Sequence, residues 1–167
     1  MKKITRKKLE EALVQECLDQ SRYLTYAERA REEGFSGIAR LFQTIAFSER
    51  VHSKKFLKLL GELGSTKENL QYCLESEKYQ TEEFYPSVFE LAGMMNEIEP
   101  LVGYHSAQQT ENIHSKLFER ALESINDGKD LSLSAIHICK NCGFTLEGSP
   151  PPTCAICGLP KENFKEF

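Results

Sequence analysis

From Lys8 to about Ser124, apolar residues recur at helical spacing among Glu, Lys, Ala and Arg, with few Gly or Pro inside the segments. The breaks fall at Gly34–Gly37, at Gly61–Ser65 and at Glu99-Pro100. The pattern predicts four helices, over about 6–33, 37–62, 66–96 and 100–125. Gly64-Ser65-Thr66 suits a glycine after one helix and an N-cap for the next. Pro86 falls inside the third helix and should kink it or reset its start. Four long helices with short connections imply a bundle. Past Asn126-Asp127-Gly128-Lys129 the pattern changes to short β-like pieces with Gly143, Gly148, Gly158 and three consecutive prolines. The expected division is a helical bundle over 1–128, a linker over 129–136 and a small ribbon over 137–167. About thirty residues cannot bury enough surface to fold unaided, so the ribbon needs a metal or cross-links.

Glu49-Arg50-Val51-His52-Ser53-Lys54 is echoed by Glu111-Asn112-Ile113-His114-Ser115-Lys116, and Phe56 and Phe118 follow at the same offset. Each copy lies in the second helix of a pair, so the bundle reads as two related hairpins. Positions i and i+3 on a helix lie about 60° apart. Glu49 with His52, and Glu111 with His114, can each aim a carboxylate and an imidazole at one point. Glu16 on the first helix and Glu77 on the third are the candidate further carboxylates. A single Glu-x-x-His is ordinary helix decoration. Two copies, with a Glu on each remaining helix, match the general di-iron pattern of ferritin-like bundles.

The neighbours suggest burial: Leu13, Val14 and Cys17 beside Glu16, Ile45 and Phe47 before Glu49, and Cys73, Gln80 and Phe84 on the face of Glu77. Carboxylates so placed require a compensating cation. Oxygen-rich ligands with some imidazole suit iron or manganese. Tyr23, Tyr26 and Tyr85 are candidates to hydrogen-bond these carboxylates. His105 and His137, with no Glu at i−3, read as surface residues.

Cys139-x-x-Cys142 and Cys154-x-x-Cys157, with eleven residues between them, form two knuckles that gather four thiolates around one metal. Zinc would make that site structural, and iron would make it a one-electron carrier. A redox-active bundle has a use for a carrier, which favours iron. Isolated Cys17 and Cys73 read as small buried fillers.

Charge and hydropathy narrow the setting. The net charge is −4 and the pI near 5.7, which argues against a nucleic-acid partner. Mean hydropathy is −0.44, and no apolar run of about 18 residues could span a membrane. Basic Met1–Lys8 leads directly into Leu9-Glu10-Glu11, without the apolar stretch of a signal peptide, so a cytoplasmic location is expected.

From about Leu9 onward the chain resembles the rubrerythrins. The resemblance rests on Glu16 followed by Arg22-Tyr23, Glu49-x-x-His52, Glu77 ahead of Phe84-Tyr85-Pro86, Glu111-x-x-His114 and the four-cysteine ribbon. It implies a ferritin-like di-iron bundle with a rubredoxin-like tail, two iron ions in the bundle and one iron, or zinc, in the ribbon. It also implies reduction of hydrogen peroxide, with electrons from a reductase or a rubredoxin. Homodimers are implied in which one ribbon approaches the neighbour's di-iron site. Two other readings compete: an iron-handling protein that oxidises or stores ferrous iron, and a zinc-loaded structural protein.

One position departs from the family pattern. Where the family has a second glutamate three residues after the one matched by Glu77, this chain has Gln80. In the family that glutamate serves an iron ion that moves between it and the first-motif histidine. Glu82 points about 200° away from Gln80, whereas Glu83 returns to within about 60°, one turn further on. The charge lost at Gln80 predicts a higher reduction potential and a permanent ligand role for His52.

Overall fold

A computed structural model describes all residues, 1–167. It divides into two compact units, Met1–Gly64 and Ser65–Phe167.

The first unit is an antiparallel hairpin of α1 (Lys3–Glu32) and α2 (Ser36–Leu60). The buried positions of α2 are Ala39, Ala46, Ser53 and Leu60, a strict seven-residue repeat that keeps one stripe on its partner. Three of the four are small; the buried positions of α1 are Ala27 and Ala30, and Ser53 lies beside Cys17. Phe42 fills the wider space, packed between Tyr23 and Tyr26 at ring separations of 6.3 and 5.7 Å. The glycine that ends α2 is Gly61, not the expected Gly64. It lies at φ +77°, and Glu62 N–H donates to Leu57 C=O at 2.9 Å. Only a residue without Cβ takes that conformation cheaply.

The second unit opens with α3 (Thr66–Tyr79), started by a capping box in which Ser65 and Glu68 satisfy each other's backbone N–H groups. A five-residue π-helical segment, Gln80–Phe84, then leads into α4 (Tyr85–Met95) and, past a left-handed Asn96, α5 (Ile98–Asn126). The expected disturbance at Pro86 is this π segment. Pro86 has no N–H, and Tyr85 N–H reaches back to Gln80 C=O. Thr81 C=O is thereby left without a helical donor, since residue 85 is diverted and residue 86 cannot donate. The Gln108 side chain of α5 supplies the replacement, Nε2–H to Thr81 O at 3.0 Å. Gln108→Leu should therefore cost about 1–3 kcal/mol, the usual result of stranding a part-buried carbonyl, measurable by denaturant unfolding.

Beyond α5 the chain forms a three-stranded antiparallel sheet, β1 (Ile136–Cys139), β2 (Thr145–Glu147) and β3 (Phe164–Glu166), in the order β2-β1-β3. Ile138 faces Thr145 on one side and Lys165 on the other. Each cysteine knuckle is closed by a glycine N–H that donates to the first cysteine's C=O, Gly143 to Cys139 and Gly158 to Cys154, both at 2.9 Å. The ribbon sits on α5 of its own chain. Arg120 of α5 pairs with Glu147 at 2.6 Å, and Glu147 also accepts from Ser134 N–H at 2.8 Å. His137 is not a surface residue: it lies within β1 with its side chain only 14 % exposed. Cys17 is not a buried filler but exposed, its Sγ 3.7 Å from Ser53 Oγ.

Candidate metal centres

The two Glu-x-x-His repeats build two similar trios, one in each unit. In the first, α1 brings Glu16 to the Glu49/His52 pair of α2. His52 Nδ1 lies 3.1 Å from Glu49 Oε2 and 3.3 Å from Glu16 Oε2. The Glu49 carboxyl is pushed up, first by the hydrogen bond it shares with Glu16 and then by burial. His52 is pushed up by the same pair, Glu16 before Glu49.

In the second, α3 brings Glu77 to the Glu111/His114 pair of α5. His114 Nδ1 lies 2.8 Å from Glu111 Oε2 and 3.9 Å from Glu77 Oε1. Loss of water, then the neighbouring Glu111, pushes the Glu77 carboxyl up to about 7. Glu77 Oε2 is buried with no hydrogen-bond partner. A carboxyl that keeps its proton beside a second carboxylate, with one of its own oxygens buried and unpartnered, is what a site built around cations leaves behind.

Tyr85 is buried, and its hydroxyl is pushed up by burial and then by the charges of Glu111 and Glu77, so it stays protonated as a donor. Gln80 opens the π segment and donates from Nε2 to Ser76 Oγ at 3.4 Å. Tyr23 stacks on Phe42, and Tyr26 meets the same ring while remaining exposed.

The trios differ at the far ring nitrogen. His114 Nε2 lies 3.0 Å from Thr145 Oγ1 on β2, whereas the contacts of His52 run through Nδ1 alone. No sequence signal marks Thr145: its spacing to His114 has no periodic meaning, and a threonine just past a knuckle glycine reads as strand.

In the ribbon, Cys139 Sγ and Cys157 Sγ are 3.7 Å apart, and Cys142 Sγ and Cys154 Sγ 3.5 Å. A disulfide would need about 2.05 Å. Four sulfurs about 2.3 Å from one tetrahedral metal would stand roughly 3.8 Å apart. Burial pushes the Cys142 thiol up to about 12, while hydrogen bonding from the Leu159 backbone draws Cys157 down to about 6. The donor set suits a thiophilic cation.

Comparison with known proteins bears on both regions. The family described as Rubrerythrin matches residues 7–122, and the one described as rubrerythrin, rubredoxin-like domain matches 137–165. This chain belongs to the rubrerythrin family. Rubrerythrin-2 of Clostridium acetobutylicum is 34 % identical over 166 residues, covering 91 % of this chain and 90 % of that protein. A putative rubrerythrin of Methanocaldococcus jannaschii is 29 % identical over 98 % of this chain and 92 % of its own length. Among solved structures, fully reduced, all-ferrous nigerythrin aligns with a TM-score of 0.57 at 25 % identity, over 98 % of this chain and 86 % of that one. The chain is thus a ferritin-like and rubredoxin-like iron protein of oxidoreductase type, with a di-iron carboxylate site and a four-cysteine site. No helix is long and apolar enough to cross a membrane.

Proposed function

We propose that the chain is a cytoplasmic di-iron peroxidase that reduces hydrogen peroxide to water with electrons relayed through its ribbon. The proposed division is residues 1–128 for the di-iron region, 129–136 for the linker and 137–167 for the electron-transfer ribbon. Glu16, Glu49, His52, Glu77, Glu111 and His114 would hold the two irons. Cys139, Cys142, Cys154 and Cys157 would hold the third. The observation that carries this reading is the contact between the two kinds of site in one chain. The strand that follows the Cys142 knuckle reaches His114 through Thr145. An iron store or ferroxidase needs no incoming electrons, and so no four-cysteine site beside its carboxylates.

Bound iron would supply the two electrons that, with two protons, convert one peroxide into two waters. The protein's part is to hold charge and protons. Glu77, which keeps its proton near neutrality in the metal-free chain, gives it up on binding. Tyr85 keeps its phenolic proton beside Glu77 and Glu111 and can donate a hydrogen bond into the site. The external donor would be a reductase or a rubredoxin, and the working form a homodimer.

The test is metal content with a visible spectrum, followed by peroxide assay. About three irons per chain, a red ferric ribbon, and peroxide consumed by reduced protein without net iron uptake are expected. Uptake of ferrous iron without peroxide turnover would favour storage, and a colourless zinc-loaded ribbon a structural role.

Gln80 bears on the potential. Adding a carboxylate next to the site stabilises the more highly charged oxidised state. Gln80→Glu should lower the di-iron reduction potential, by about 59 mV for each tenfold gain in preference for the oxidised form of a one-electron couple. Redox titration of both proteins measures this, and identical potentials would place residue 80 outside the coordination shell.

A further inference from the structure

Thr145 is buried, with 4 % exposure, and its hydroxyl is doubly engaged. Oγ1 donates to Gly143 C=O at 3.0 Å and meets His114 Nε2 at 3.0 Å. A hydroxyl has one proton, and a carbonyl can only accept. The Thr145 proton is therefore committed to Gly143, and Nε2 must carry the proton shared with His114. In the neutral ring that leaves the lone pair on Nδ1, which faces Glu111 Oε2 at 2.8 Å. A lone pair against a carboxylate oxygen is repulsive unless a cation or a proton lies between them. His114 also borders an apolar recess with Leu117, Phe118, Leu131 and Ile136. Gly143, the anchor of Thr145, belongs to the first cysteine knuckle, its N–H held by Cys139 C=O.

We infer that Thr145 is a positioning residue that makes metal binding at Glu77/Glu111/His114 depend on metal binding in the ribbon of the same chain. This rests on the metal reading proposed above. With four thiolates gathered on a cation, the knuckle is rigid and the acceptor stands behind His114. Without that cation the ribbon has too little core to hold it there. The ribbon would then be loaded first, and would select the His114 tautomer that ligates. By linkage, a metal at His114 stabilises the ribbon by the same factor. The resemblance placed the ribbon against a neighbour's site, whereas this coupling runs within one chain.

The test uses full-length protein with the ribbon loaded, titrated with Zn²⁺ and followed by the ring ¹⁵N and ¹H signals of His114. Wild type should show protonated Nε2 and ligating Nδ1. Thr145→Val should lose the tautomer preference and bind Zn²⁺ at His114 about 10–100-fold more weakly, the usual effect of removing a ligand's outer partner. Thr145→Ser, which keeps the hydroxyl, should restore both. A Cys142→Ser/Cys157→Ser chain should show the same weakening, and Thr145→Val should add nothing to it. If Thr145→Val disturbs the ribbon itself, the serine variant and the cysteine variant still decide. Unchanged Zn²⁺ affinity at His114 in either the valine or the cysteine variant overturns the coupling. Absence of Zn²⁺ binding at His114 in wild type would instead overturn the metal reading beneath it.

Discussion

Glu111→Gln should abolish peroxide turnover and, in metal-free protein, raise the melting temperature. The two effects share a cause. Glu77 and Glu111 sit together beside His114, and their mutual repulsion is tolerable only with a cation or a proton between them. Removing one charge removes a metal ligand and relieves the other carboxylate. The sign of the pH effect follows. Glu77 has a folded value of about 7, above its unfolded value near 4.5. The metal-free fold thus binds more protons than the unfolded chain between those values, and its stability falls as pH rises from about 4.5 to 7. Glu111→Gln should flatten that fall and raise the metal-free midpoint at pH 7 by roughly 2–5 °C. Metal uptake by the wild type should release protons, with affinity climbing until the pH passes about 7. Calorimetry of metal-free protein at pH 5 and pH 7 checks the first part, and proton release measured in two buffers checks the second. A midpoint at pH 7 that drops in the variant would mean the carboxylates are held apart by something other than a cation.

The features legible in the sequence are those set by local spacing. Glu49/His52 and Glu111/His114 are three residues apart, and helical geometry alone places each pair on one face. The two knuckles carry their geometry in four cysteines and two following glycines. Gly61 and Gly64 are chemically equal candidates for ending α2, and the choice depends on where the seven-residue stripe runs out at Leu60. The π segment depends on Gln108, 27 residues from the carbonyl it serves, and no periodic pattern records that pairing. His137 reads as exposed from its neighbours in sequence, whereas its burial comes from two flanking strands. Thr145 carries no sequence signal for the same reason. Long-range partners of single polar atoms are decided by the fold, and they are the details that distinguish the His114 trio from the His52 trio.

Cys154→Ser should unfold the ribbon while leaving the first hairpin intact. Cys154 is one of the few buried residues past Asn126, with Cys139 and Thr145. It anchors the second knuckle at both backbone atoms, N–H to Leu159 C=O at 2.7 Å and C=O from Gly158 N–H at 2.9 Å. Besides this the segment has one ring–ring contact, Phe144 on Phe164, Lys165 over the Phe167 ring, and three short strands. Such a core falls well short of the ordering entropy of about thirty residues, so the metal must carry the fold. Binding of a structural ion to four ligands of this kind is worth about 10–16 kcal/mol in small zinc-finger peptides. A serine hydroxyl is a poor thiolate substitute, and the loss should exceed what the sheet can withstand. Hydrogen exchange should show amides of residues 137–167 unprotected, while those of α1 and α2 keep wild-type protection. Turnover driven by an external protein donor should fall by about 100-fold or more, since each 1.4 kcal/mol on the barrier is tenfold. A small chemical reductant that reaches the carboxylate site directly should still support peroxide reduction once excess iron offsets the weaker binding at His114. Protected ribbon amides in metal-free Cys154→Ser protein would show that packing, not the metal, holds these strands, and that the thiolates are poised for redox work alone.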